Sequence, residues 1–457
     1  MTMVQELAGF VERASYRDLS EGARGQLKLR VLDALGCALG ALSGEPIAKI
    51  RAHLGEFCPD GSVTLIGGGR SAADLAGFYN AALVRYLDFN DSYLAKGETC
   101  HPSDNLGGVL AAAEYAGASG EDFLAALAVA YQVQCRLSDV APVRARGFDH
   151  TVQGAYAASA GASRALGLNR DQTANAIAIS GTALNALRVT RTGALSHWKG
   201  LAYPNTVFGA LHAAFLARRG ITGPPEVFEG NKGFMETIAG RFEIDWKKED
   251  LERVNRTIIK KYNAEIHSQS ALEGLLSIRE EAKVDPRDIE RVEIDIFEVA
   301  YHIIGGGEEG DKTRVNTKEE ADHSLQYLAA AALLDGEVWT AQFAPDRIRR
   351  ADVQALLRRV AVRPSEEFSR RFPGEMPCRV TVVLRNGTRL LREKDGYRGF
   401  HLDPMDRDEV LGKFERLSAP FASAQLSRDI AGVVWNLESV PVRELTALLA
   451  RAAAAKG

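Results

Sequence analysis

The amino-acid sequence predicts a mainly α-helical protein with a smaller α+β domain. Up to about residue 262, apolar residues recur at helical spacing in one alanine-rich segment after another. Between residues 263 and 403, strand-like alternation is interleaved with helical patterns, and from residue 404 the helical pattern returns. We therefore expect a helical domain over residues 1–262, an α+β lid domain over residues 263–403, and a tail, residues 404–457, that packs back on the helical domain.

Helix start signals support the elements of the first domain. Ser71 with Asp74 and Ser119 with Asp122 have the three-residue spacing of capping boxes. Residues 63–66, which precede three glycines, are strand-like and are expected to form a loop or hairpin. The expected helices cover residues 20–42, 72–87, 123–140, 152–166, 170–187 and 206–219.

Strand signals mark the second domain. Residues 291–300 alternate apolar with charged side chains, as a half-buried strand does. Asn386-Gly387 lies between two β-prone runs and predicts a hairpin. Helices are expected at residues 268–282, 318–334 and 352–359 and, in the tail, at 406–417, 423–436 and 442–455, with a further strand at 360–362.

The composition excludes several classes of protein. The chain has 457 residues, of which 46% are hydrophobic and 25% charged, as in ordinary globular proteins. Its formal net charge of -4 argues against binding nucleic acid by neutralising phosphates, so an anionic ligand would need a local cluster of cations. No signal-peptide pattern, membrane-length apolar run or CxxC pair is found. We therefore expect a cytoplasmic protein that binds neither nucleic acid nor a membrane.

The segment of residues 85–110 is the strongest candidate for a catalytic centre. Asp88 and Asp91 follow an apolar helical run, and His101 lies on a loop punctuated by Gly, Pro and Ser. Loops held between helices often carry catalytic side chains. A structural interpretation stays open, in which Asp91 and Ser92 are cap residues and His101 is an ordinary hydrogen-bonded histidine.

Four further residues also have two interpretations. His150 stands at a helix start, Lys199 lies between a glycine-broken loop and the next helix, and His267 precedes a helix whose N-terminus could bind a carboxylate. Each could instead be a hydrogen-bonded spacer or a solvated charge, and Tyr327 a core aromatic residue. Neither a GxSxG nor an HExxH motif is found, and because no phosphate-loop motif is found either, we expect no nucleotide cofactor.

The chain resembles the MmgE/PrpD family in five segments, which are in order LDFNDSYLAKGETCHPSDNLGG, ARGFDHTVQGAYAASAGASRALGL, SHWKGLAYPNT, KKYNAEIHSQSALEGLL and DHSLQYLAAAALLDG. The family comprises 2-methylcitrate dehydratase, cis-aconitate decarboxylase and iminodisuccinate epimerase. The resemblance implies a helical N-terminal domain, a smaller α+β domain, metal-free catalysis without a cofactor, and a homodimer. The sequence around HPSDN is more similar to that of the dehydratase than to that of the decarboxylase.

The resemblance also implies two sets of site residues. The catalytic set consists of Asp88, His101, His150 and Lys199. The substrate-binding set consists of Ser92, Lys261, His267 and Tyr327. Within the first set, we expect His101 to act as base or acid and Asp88 to orient it and fix its tautomer.

These residue types suit the elimination of water from a tricarboxylate. A base must remove the proton beside a carboxylate, an acid must protonate the departing hydroxide, and cations must stabilise the developing charge. We therefore predict a lyase, a hydro-lyase acting on 2-methylcitrate or a close tricarboxylate. Two alternatives stay open: a cis-aconitate decarboxylase or dicarboxylate epimerase of the iminodisuccinate type, and a non-catalytic relative that only binds anions.

Overall fold

The computed structural model describes residues 1–58 and 60–453, and the chain forms two compact units. The first unit comprises Met1–Thr190, Gly200–Ile258 and the described residues from Asp406 onward. The second comprises Arg191–Lys199 and Ile259–Met405. The chain therefore contributes to the second unit in two separate stretches.

Small side chains allow the helices of the first unit to pack closely. On α7, a side chain at Gly161 would collide with Ala130 of α6 and Val109 of α5, since its Cβ would lie 2.9 Å from each. The small residues of these segments therefore allow the helices to approach one another closely. The helices up to residue 218 are α1 Met3–Arg13, α2 Glu21–Gly40, α3 Glu45–Phe57, α4 Ala73–Tyr86, α5 Leu106–Ala116, α6 Gly120–Val140, α7 Thr151–Ala165, α8 Arg170–Ala183 and α9 Trp198–Arg218.

Two short antiparallel hairpins connect helices of this unit. Strand β1, Val63–Thr64, pairs with β2, Arg70–Ser71, which confirms the hairpin expected at residues 63–66. The connection needs three consecutive left-handed residues, and Gly67, Gly68 and Gly69 supply them with φ of 88°, 97° and 85°. Strand β3, Tyr93–Leu94, pairs with β4, Thr99–Cys100, directly before His101.

One predicted cap is confirmed and one is wrong. Ser119 caps α6, since its hydroxyl accepts from the backbone N–H of Asp122 at 3.1 Å. The capping box of Ser71 and Asp74 is absent from α4, whose N-cap is Ala72. Ser71 belongs to β2 instead, because its backbone pairs with Val63 of β1.

A mixed four-stranded sheet with the order β6-β5-β7-β8 organises the second unit. Alternate residues of β5 are buried, as the charge alternation predicted, but the strand ends at Ile296 because a short helix begins at Glu298. The β7–β8 turn contains Gly387 in the left-handed region, which confirms the Asn-Gly hairpin. The strands are β5 Ile289–Ile296, β6 Val360–Pro364, β7 Cys378–Leu384 and β8 Arg389–Lys394.

Helices accompany this sheet, which confirms the predicted combination of a helical part and a smaller α+β part. They are α10 Gln269–Glu281, α11 Glu298–Ala300, α12 Lys318–Ala321, α13 Leu325–Asp335, α14 Pro345–Ile348, α15 Ala351–Leu357 and α16 Glu366–Arg371.

The C-terminal helices belong to the first unit. They are α17 Arg407–Ser418, α18 Ala424–Trp435 and α19 Val442–Leu449, and positions 454 and 455 of the predicted last helix lie outside the described residues. Lys413 of α17 lies 2.7 Å from Asp33 of α2 and donates to the carbonyl of Phe89 at 2.8 Å. Among the described residues, no single helix is long and apolar enough to cross a bilayer, and α2 with α3 meets those criteria only as a pair bent by 87°.

Candidate active site

His101 is held by neutral groups at the end of the β3–β4 hairpin. Its Nδ1 lies 2.8 Å from the backbone carbonyl oxygen of Asp91 and 3.0 Å from the hydroxyl of Ser92. Because a carbonyl oxygen can only accept, the contact with Asp91 assigns the ring proton to Nδ1. Nε2 then carries the lone pair of the neutral ring and is the atom that can act as a base.

The carboxylate of Asp91 fixes this loop from within the core. One oxygen accepts from the backbone N–H of Ser103 at 3.0 Å and the other from the hydroxyl of Tyr131 at 2.8 Å. Burial raises the pKa of Asp91, and the hydrogen bonds from Ser103 and Tyr131 oppose that rise. The carbonyl that orients His101 is therefore part of a rigid, fully buried turn.

Asp88 lies in an ion-pair network immediately after α4. Its backbone is left-handed, with φ of 55°, a conformation that aspartate tolerates better than most residues. Arg85 donates to Asp88 at 2.6 Å and its Nε lies 3.6 Å from Asp104. At Nδ1 of His101 the contact is made by the Asp91 carbonyl, a backbone atom that residue types do not reveal, and the orienting role of Asp88 stays a prediction.

His150 directly precedes α7 and lies beside His101. The two rings meet edge to face, with centroids 5.5 Å apart and planes at 74°. His150 Nδ1 lies 3.2 Å from a carboxylate oxygen of Asp149, and Tyr203 stacks on the His150 ring at 6.1 Å. The structure thus brings two predicted histidines together in different electrostatic surroundings.

Glu98 connects the loops that carry these histidines. It lies on the β3–β4 hairpin, and its carboxylate accepts from the backbone N–H groups of Val143 and Arg144, both at 3.1 Å. Burial raises its pKa, and the charge of Arg188 opposes the rise. Residue types alone predict a solvent-exposed glutamate in a turn, so sequence reasoning missed this contact.

Lys199 is buried in the second unit and bound to Asp322. Its Nζ lies 2.6 Å from one oxygen of Asp322, and the Nζ of Lys318 lies 2.8 Å from the other. His323 Nδ1 lies 2.7 Å from the same carboxylate. Although burial raises the pKa of Asp322, the charges of Lys199 and Lys318 hold it well below its usual range.

Two departures from the predicted helices create this arrangement. Lys199 is the second residue of α9, which starts at Trp198 and continues through Pro204, where we had expected a loop. The helix predicted over 318–334 is interrupted between α12 and α13, because the hydroxyl of Ser324 caps α13 by accepting from the N–H of Tyr327 at 3.0 Å. The interruption places Asp322 and His323 outside both helices.

His267 is fully buried and bound to Glu265. Its Nδ1 lies 2.6 Å from the carboxylate, and its ring packs against Phe297 and Phe372, with centroids 5.7 Å away in each case. Burial raises the pKa of Glu265, but the charge and hydrogen bond of His267 outweigh it and lower the pKa to about 2. The Glu265 carboxylate therefore stays ionised and holds the His267 ring inside the unit.

The two remaining predicted binding residues have structural contacts. The hydroxyl of Tyr327 donates to the carbonyl of Gln342, as expected of a core aromatic residue. Lys261 is 40% exposed and its Nζ lies 3.2 Å from Glu273, whereas its neighbour Lys260 is fully buried.

One sequence signal could have identified the acidic partners. The dipeptide Asp-His occurs at Asp149-His150 and at Asp322-His323, and in both cases the aspartate contacts Nδ1 of the following histidine. No comparable signal marks Tyr203, which is buried and whose hydroxyl lies 3.0 Å from oxygens of Asn105 and Gln134.

Similarity to known proteins extends over both units. The mitochondrial 2-methylcitrate dehydratase of Yarrowia lipolytica is 28% identical over 477 residues, covering 97% of this chain and 89% of the relative. The 2-methylcitrate dehydratase of Cupriavidus necator is 30% identical over 389 residues, 78% of each protein. The cis-aconitate decarboxylase of Mus musculus is 24% identical over 465 residues, 96% of this chain and 91% of the relative. The MmgE/PrpD N-terminal domain profile matches residues 5–247 and the MmgE/PrpD C-terminal domain profile matches residues 262–439, so this chain belongs to the MmgE/PrpD family.

Proposed function

We propose that this lyase dehydrates 2-methylcitrate or a close tricarboxylate by acid–base elimination. The observation that carries the proposal is the pair of adjacent imidazoles, His101 and His150, with different partners at Nδ1. Relatives named 2-methylcitrate dehydratase support the choice of substrate. Elimination of water needs one base and one acid close together, and the pair supplies both.

His101 acts as the base in this proposal. With its proton held on Nδ1 by the Asp91 carbonyl, its Nε2 takes the proton from the substrate carbon next to a carboxylate. His150, whose Nδ1 lies 3.2 Å from Asp149, acts as the acid and passes a proton to the departing hydroxide. The C–H and C–O bonds break, a C=C bond forms, and water leaves.

Charge that develops on the substrate carboxylate requires cations. Within the second unit, the ammonium groups of Lys199 and Lys318 both bind the carboxylate of Asp322. Because imidazoles serve both proton transfers, we propose that the reaction needs no metal ion, and that dialysis against a chelator leaves the rate unchanged. The dimeric state implied by the resemblance and the cytoplasmic location expected from the sequence belong to the same proposal.

Purified protein tests the reaction directly. We expect 2-methylcitrate to give a product with the ultraviolet absorbance of a double bond conjugated to a carboxylate, and His101→Asn to abolish this signal. His212→Asn is the matched control, because His212 is 57% exposed and lies 3.6 Å from Asp74. If the wild-type protein gives no increase in ultraviolet absorbance with either 2-methylcitrate or citrate, the dehydratase proposal is refuted. Itaconate formed from cis-aconitate, or deuterium uptake without loss of water, would support the decarboxylase or the epimerase instead.

A further inference from the structure

Lys312 is a buried ammonium group that the mechanism above does not use. Only 7% of its surface is exposed, and it lies in the loop before α12. Its backbone carbonyl accepts from the hydroxyl of Ser324 at 2.6 Å. Since Ser324 follows Asp322 and His323 directly, this hydrogen bond ties the Lys312 loop to the segment that holds Lys199.

The side chain of Lys312 lacks a protein partner within the described ranges, 1–58 and 60–453. No hydrogen bond and no ion pair within 4.0 Å involves its Nζ there. The carboxylates in its electrostatic neighbourhood include Asp322, which binds Lys199 and Lys318, and Glu265, which binds His267. Its positive charge is therefore not neutralised by a direct contact.

The surroundings of Lys312 disfavour a positive charge unless an anion is present. Burial lowers its pKa, Glu309 opposes that change, and the like charge of Lys199 adds to it. Burying an ammonium without a partner costs free energy, which an anion in contact with it would offset. The chemistry complementary to a buried ammonium beside a second lysine is a carboxylate.

We propose that Lys312 is a further substrate-binding residue whose ammonium group binds one carboxylate of the polycarboxylate substrate. This inference rests on the proposed function for the class of ligand. Lys199 and Lys318 share one counter-charge in Asp322, whereas Lys312 has none in contact, so Lys312 gains more from an incoming carboxylate.

Equilibrium binding of propane-1,2,3-tricarboxylate, which has no hydroxyl to eliminate, tests this assignment without requiring turnover. Calorimetric titration should give a Kd that is about 10- to 100-fold higher for Lys312→Met than for wild type, since charge-assisted hydrogen bonds have this strength. Lys232→Met is the matched control, because Lys232 is 74% exposed and pairs only with surface Glu236. We expect that variant to bind as the wild type does.

A structural role would have a different signature from a binding role. Removing an unpaired buried charge should raise or preserve the Tm of the ligand-free protein, whereas a lysine needed for folding would lower it. With substrate, Lys312→Met should raise KM and change kcat little, as loss of uniform binding does.

The two proposals can fail separately. A wild-type Kd and KM in Lys312→Met, or weaker binding accompanied by a lower Tm, would overturn the assignment of Lys312 even if the protein dehydrates 2-methylcitrate. Weaker tricarboxylate binding in a stable Lys312→Met protein would support it even if 2-methylcitrate is not converted.

Discussion

The histidine site of the first unit and the lysine site of the second are built with different partners. His101 is oriented by a backbone carbonyl and a hydroxyl, groups that keep the same charge whether the ring is protonated or not. Lys199 is bound to a carboxylate whose pKa is held low, so that pair stays charged over the ordinary pH range. This difference indicates that the histidine site is suited to exchanging protons and that the lysine site is suited to keeping a fixed charge.

The largest expected effect separates the base from the acid within the histidine site. His101→Asn should lower kcat about 100- to 10,000-fold on both 2-methylcitrate and the analogue in which fluorine replaces the leaving hydroxyl, because both need proton abstraction. His150→Gln should lose a similar factor on the hydroxyl substrate but recover most of it on the fluoro analogue, since fluoride leaves without being protonated. Fluoride-electrode and absorbance assays measure the two rates, and equal losses of His150→Gln on both substrates would contradict the assignment.

The second prediction concerns the fixed charges of the lysine site. Asp322→Asn leaves Lys199 and Lys318 without their common carboxylate and should destabilise the protein by about 3–5 kcal/mol, as breaking a buried ion pair does. Urea denaturation measures the change. Asp245→Asn removes an ion pair to the largely exposed Lys248 and should leave stability almost unchanged, so equal effects of the two variants would refute the distinction.

The third prediction is a pH dependence inside the second unit. The pKa of Glu265 is about 2 in the folded protein against 4.5 for the ordinary group, so its ionisation contributes about 3 kcal/mol above pH 4.5. Because the folded pKa is the lower one, this contribution is lost as the pH falls from 4.5 towards 2. The difference in free energy of unfolding between wild type and Glu265→Gln should therefore shrink as the pH falls below 4.5. A difference that grows on acidification would contradict the prediction.

The smallest effect is expected at Ser92. Its hydroxyl is the second of two contacts at Nδ1 of His101, and the Asp91 carbonyl remains when it is removed. Ser92→Ala should lower kcat only about fivefold, in line with one hydrogen bond of about 1 kcal/mol. Ser92→Thr retains the hydroxyl and should restore most of the rate. A loss in Ser92→Ala as large as that in His101→Asn would show that the carbonyl does not orient the ring.

Local patterns were sufficient for most elements of the fold. The Asn386-Gly387 hairpin, the alternation of β5 and the cap at Ser119 all depend on neighbours in sequence, and the structure contains them. The start of α9 and the interruption after Ala321 could not be predicted this way. The continuous apolar pattern pointed to one helix over 318–334, and the cap at Ser324 that divides it was not recognised among the residues of that run.

The candidate site was predictable in its residue types but not in its contacts. His101 and His150 could be identified from the sequence around them. The contact of His101 with the Asp91 carbonyl and the contacts of Glu98 with the amides of Val143 and Arg144, however, all involve backbone atoms. Such contacts depend on the path of the chain rather than on side-chain chemistry. Lys312 escaped notice for a related reason, since a lysine in a glycine-rich loop is normally solvated and only burial distinguishes it.

The Glu98 carboxylate joins loops that are 45 positions apart in the chain. Lengthening or shortening the turn between β3 and β4 by one residue would displace this carboxylate and shift the ring of His101 relative to that of His150. Turn length is therefore a means by which evolution can retune the site for acids of different size while leaving every proton-carrying group untouched.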